Sequence, residues 1–146
     1  MDKVAQGRTK ILVPVNFSAK SEMALDFALS YSRERKEKME IYLFHVFEEA
    51  TKNFRRLDRL NEEYMDRMKN MVIKAIERVY KLGFQHSVDD VHRRMAHGKA
   101  SVEILKMADA IQADLLVMGA PTASGFNRFI SETPCSMVLL KPKDLA

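Results

Sequence analysis

Four short runs along the chain are almost wholly apolar: residues 11–15 (ILVPV), 41–47 (IYLFHVF), 115–118 (LLVM) and 137–140 (MVLL). Their length and their β-branched and aromatic content predict strands, and the lack of polar alternation predicts a sheet covered on both faces. A fifth run, 90–96 (DVHRRMA), alternates Val91 and Met95 with His92 and Arg94. So many charges predict an edge strand, where charge also discourages unwanted pairing. Helical spacing fills the gaps. Met23, Ala24, Phe27, Ala28 and Tyr31 form a stripe over about 18–34, with Ser18 placed to cap it. Leu57, Leu60, Tyr64, Met68, Met71, Val72, Ala75, Ile76 and Val79 do the same over about 53–82, with Gly83 as a stop. Val102, Leu105, Met107 and Ala108 mark a helix over 101–111, and a short one fits about 125–132 before Pro134. Strictly alternating strands and helices predict a doubly wound parallel α/β sheet.

Composition narrows the class. The chain has 146 residues, 47% hydrophobic and 30% charged, which fits one folded domain with a sizeable core. No apolar run approaches the roughly 20 residues of a membrane helix. The opening MDKVAQGRTK has no apolar signal core, and residues 1–8 and 142–146 are expected to fray. The lone Cys135 excludes an intramolecular disulfide, and a cytoplasmic location is expected. The net charge is +4, yet the densest basic patch, 52–59 (KNFRRLDR), runs straight into NEEYMD. It reads as a solvated helix face, and nucleic acid is not expected as a partner.

In an open parallel sheet, ligands bind beyond the carboxyl ends of the strands, where strand order reverses. The residues to weigh are therefore Asn16, Phe17 and Ser18, then 45–48, then His97, Gly98 and Lys99, then 119–125. No nucleophile elbow, Walker loop or paired carboxylates occur among them, so no catalytic residues are expected. The four histidines have no zinc-site spacing. His45, inside an apolar strand, is expected to pack there with a backbone partner. The methionines of the long helix read as core, and Cys135 as a small buried residue.

At these residues the sequence resembles the universal stress protein family. KILVPVNFSAKSEMALDFAL is similar to that family's first strand, turn and helix, YLFHVFE to its second strand, AHGKASVEIL to its glycine-containing turn, ADLLVMG to its fourth strand and TPCSMVLLKP to its last. The resemblance spans nearly the whole chain. It implies an open five-stranded parallel sheet of order 3-2-1-4-5 with helices on both faces, the Rossmann-like fold of the adenine nucleotide alpha hydrolases.

Some members of that family bind ATP through a loop Gly-x-x-Gly, nine residues, then Gly-Ser or Gly-Thr, in which glycines bring backbone N–H groups to phosphate oxygens. Here Gly119 is present, but Thr122 stands where the second glycine belongs. Ala123-Ser124 falls where Gly-Ser belongs, the spacer has collapsed, and Pro121 removes a donor. Asn16 replaces an aspartate, keeping an acceptor and losing the charge. The nucleotide site implied by the resemblance comprises Pro14, Val15, Asn16, Val46, His97, Gly98, Met118, Gly119, Ser124 and Gly125. The expectation is a homodimeric stress-response module with weak or no ATP binding; the alternative is an ATP or AMP sensor using a shortened site. Family members dimerise through the last strand, which here implies an interface of Cys135, Met137, Val138, Leu139 and Leu140, ended by Pro142.

Overall fold

The computed structural model describes residues 8–35, 39–48, 53–80, 91–120 and 126–141. Along the chain run β1 (Lys10–Pro14), α1 (Ala19–Arg35), β2 (Glu40–Phe47), α2 (Phe54–Tyr80), β3 (Val91–His97), α3 (Ala100–Ala110), β4 (Leu115–Gly119), α4 (Phe126–Glu132) and β5 (Ser136–Leu140). The five strands form one sheet of order β3-β2-β1-β4-β5, and every pairing is parallel. This is the expected α/β architecture. The charged strand β3 is an edge, as its sequence requires, and the apolar β5 is the other.

Alternation along the strands separates two core layers. Ile11, Val13, Ile41, Leu43, Val91 and Val117 meet α1 and α2 on one face. Leu12, Phe44 and Leu116 meet Ile104 and Ala108 of α3 and Phe129 of α4 on the other. Two covered faces explain why the central strands are apolar at every position.

The helices correct two sequence readings. The buried face of α1 is Ser21, Ala24, Leu25, Ala28, Leu29 and Ser32, and Met23 is 36% exposed. Phe27 and Tyr31 lie at the margin of the core, stacked on each other at 6.1 Å. Leu25 and Leu29 fill this face with small residues between them, and Phe27 and Tyr31 flank it. In α3 the buried residues are Ile104 and Ala108, while Val102 is 44% exposed. In α2, Met68, Met71, Val72, Ala75 and Val79 are buried, so the methionine stripe is core there. Asn53 caps this helix, its Oδ1 accepting the N–H groups of Arg55 (2.9 Å) and Arg56 (3.2 Å). The Gly83 stop, residues 1–7 and residues 142–146 lie outside the described residues.

Candidate functional site

Strand order turns back at β1, which sends the chain outward to β2 and β3 and then, on its other side, to β4 and β5. The turn after β1 is built by three short polar side chains. Ser18 caps α1, its Oγ accepting the Ser21 N–H at 3.3 Å. Asn16 Oδ1 accepts the Ser18 N–H (3.2 Å) and the Ser21 hydroxyl (2.7 Å), while the Asn16 N–H donates to Ser21 Oγ at 2.8 Å. A main-chain N–H can only donate, so the group facing Ser18 is the amide oxygen, and the two Nδ2 donors are left for other partners. Asn16 thus stabilises the turn, and this does not consume the amide nitrogen. Phe17 takes a left-handed backbone, φ 64°. For a bulky residue that costs on the order of 1–3 kcal/mol.

A cleft of about 270 Å³ opens at the carboxyl ends of β1, β2 and β4. Its apolar surface comes from Pro14, Val15, Phe44, Val46, Ile104 and Met118, and its polar rim from Asn16, Ser18, Lys20 and Ser21. Six predicted residues therefore meet here: Pro14, Val15, Asn16, Val46, Met118 and Gly119. The sequence reading missed Lys20, Ser21, Phe44, Ala100 and Ile104. Phe44 is two residues from Val46, on the same side of β2, so alternation could have found it. Nothing local marks Lys20, whose partner lies a hundred residues away in sequence.

Lys20 also explains Gly119. A Cβ built on Gly119 would lie 2.5 Å from the Lys20 Cβ, closer than side chains pack. Beyond that contact the Lys20 ammonium donates to the Ala120 carbonyl at 3.1 Å, and the Ala120 N–H donates to the Leu140 carbonyl at 2.9 Å. Glycine at 119 is required by the approach of α1 to β4. Ser124 and Gly125, with Pro121, Thr122 and Ala123, lie outside the described residues.

His97 and Gly98 do not line the cleft. Alternation in β3 puts His97 on the opposite face with Val91, its ring 5.1 Å from Phe47. Gly98 has φ 149°, and its N–H donates to the Phe47 carbonyl at 3.0 Å, so its place follows from the chain's exit from β3. On that face the left-handed turn carries Phe17 over His45, centroids 4.7 Å apart, and onto Tyr64 at 5.8 Å. The Arg67 guanidinium caps the Phe17 ring at 3.9 Å. His45 is 7% exposed, and its Nδ1 lies 2.9 Å from the Val15 carbonyl. A carbonyl only accepts, so Nδ1 carries the proton. Nε2 has no partner among the described residues. Burial pushes the His45 pKa below 6.5 against the raising effect of the Val15 bond, and nearby Arg67 lowers it further. Burial also raises the Cys135 pKa, keeping the thiol protonated. Among the described residues no group of three His, Cys, Asp or Glu could hold a metal, and no helix is long and apolar enough to cross a membrane.

The model of the universal stress protein family matches residues 7–141. No curated protein is significantly similar in sequence. Among solved structures, a universal stress protein family protein of Arabidopsis thaliana with AMP bound is 18% identical, covering 93% of this chain and 97% of its own, with a TM-score of 0.62. The universal stress protein of Archaeoglobus fulgidus in complex with dAMP is 19% identical, covering 92% and 98%, with a TM-score of 0.60. UspA of Lactobacillus plantarum is 19% identical, covering 92% and 99%, with a TM-score of 0.59. At such identities the likeness establishes the fold.

Proposed function

The chain belongs to the universal stress protein family, and on that premise we propose that it is a stress-response module whose cleft takes an adenine nucleotide weakly, without an enzymatic role. One observation carries this reading: Pro14, Val15, Asn16, Val46, Met118 and Gly119, far apart in sequence, converge on one cleft at the point where strand order turns back. The apolar walls suit a purine, and the Asn16 amide and the Ser18 and Ser21 hydroxyls suit ribose and ring nitrogens. Structural relatives have been solved with AMP, dAMP and cAMP. Among the described residues the lining offers amide, hydroxyl and ammonium groups and no carboxylate or imidazole, which fits binding better than acid–base catalysis.

Calorimetric titration with adenosine, AMP, ADP and ATP tests this. The expected result is binding weaker than micromolar, with no advantage for the triphosphate. No heat at millimolar nucleotide would overturn it and favour the second reading, a module independent of nucleotide. That reading draws on the sequence between Gly119 and Gly125, which contains no glycine and includes Pro121.

We further propose that β5 joins two copies into a homodimer. It is an edge strand whose Met137, Val138, Leu139 and Leu140 are only half-buried. The Leu140 carbonyl bonds back to Ala120 beside β4, so by alternation the peptide groups of Met137 and Leu139 face the open edge. Sedimentation should give a dimer, and Leu139→Pro, which removes an outward donor, should give a monomer. A wild-type monomer at micromolar concentration would refute the proposal.

A further inference from the structure

Resting on the nucleotide reading of the cleft, we propose that Lys20 is its phosphate-recognising residue, and that its ammonium makes the cleft prefer a 5′-phosphorylated adenosine to adenosine itself. Lys20 is the one charged side chain among the described residues that line the cleft. Its stem lies on Gly119 and is half-buried, so the ammonium is held at the mouth rather than waving in solvent. Its bonded partner is a neutral carbonyl, that of Ala120, and no described carboxylate pairs with it. Among the described residues nothing neutralises the positive charge, and only one of its three donors is taken.

Four of the main-chain donors nearby are committed elsewhere. The N–H groups of Asn16, Ser18 and Ser21 are bound within the turn, and that of Ala120 is bound to Leu140. A phosphate entering beside the turn would therefore find only part of the backbone N–H cradle usual at a helix start. It would also find an ammonium, with the Asn16 amide lining the same cleft. A single lysine is a point charge and grips one phosphate. This predicts a gain on adding the first phosphate and little on adding the second and third.

The test compares AMP with adenosine on the full chain by calorimetry, at low and moderate salt, for wild type, Lys20→Met and Lys20→Arg. Wild type should bind AMP about tenfold more tightly than adenosine, a typical yield for a charge-assisted contact, with salt eroding the difference. Lys20→Met should abolish that difference by weakening AMP more than adenosine, and Lys20→Arg should restore most of it. Equal weakening of both ligands in Lys20→Met would mean a purely structural role, and an unchanged ratio would mean no role; either overturns the assignment. Should Lys20→Met not fold, the wild-type Lys20 Nζ resonance decides: it should shift with AMP and not with adenosine. Adenosine binding with no gain for AMP overturns the Lys20 assignment alone. Binding of neither ligand overturns the nucleotide reading and this inference with it.

Discussion

On one side of the carboxyl ends of β1 and β2 lies the open cleft, walled by Val15, Phe44 and Val46. On the other side, one residue along, His45 and Phe47 are covered by Phe17 and Tyr64. The same two strands feed both, and their backbone geometry is equivalent. What separates a ligand site from a plug is the turn after β1. By taking the left-handed conformation at Phe17, the chain sends its aromatic ring to the α2 side and leaves short polar side chains, Asn16 and Ser18, on the other. The strain at one residue is offset by the ring contacts with His45 and Tyr64 and by the Arg67 guanidinium. A parallel sheet offers two crevices at this end; local backbone conformation decides which one stays open.

The largest expected effect comes from the floor of the open side. Phe44 is 1% exposed, and Phe44→Ala should cost about 3–5 kcal/mol in chemical denaturation, by lost transfer energy and an unfilled cavity. A cost near 1 would mean that the two sides are less distinct than described. Gly119→Ala should cost about 1–3 kcal/mol, because the added methyl collides with the Lys20 stem and α1 must shift. Phe17 gives a sharper comparison. Replacing it with Ala should be worse than replacing it with Gly, by about 1 kcal/mol, since only Gly relieves the left-handed backbone. The reverse order would show that the turn is not strained.

The smallest effect is a pH dependence confined to the plugged side. His45 has a folded pKa below its unfolded value of 6.5. Between the two values the unfolded chain binds the extra proton, so stability is full above about pH 6.5 and falls as pH drops toward the folded pKa. Subtracting the pH profile of His45→Leu from that of wild type should isolate this loss. A difference that stays flat down to pH 5 would contradict a buried neutral imidazole.

Much of the fold was legible because its signals are local. Uninterrupted apolar runs announced strands covered on both sides, and the charges of 90–96 announced the edge. His45 in an apolar strand announced a packed imidazole with a backbone partner. The face of α1 was read correctly at Ala24 and Ala28 but rotated toward Met23, Phe27 and Tyr31, missing Leu25 and Leu29 and the two buried serines, Ser21 and Ser32, which carry no hydrophobic signal. The cleft was legible where it is made of strand ends and the turn between them. It was illegible at Lys20 and Ile104, because those residues reach it from helices on opposite faces of the sheet. His97 ends β3 opposite Phe47, one residue past the pair of Val46 with Ala96, and that odd step in the alternation sends it to the other face.

The missing side chain at Gly119 bears on how such sequences are compared across lineages. Substitution there is opposed by helix packing whether or not any nucleotide is present. A descendant that had abandoned nucleotide altogether would keep this glycine, while the glycines further along the loop would be free to drift. Scoring a signature by how many of its glycines survive would count this one as evidence of ligand binding. What it records is the distance between a helix and a strand.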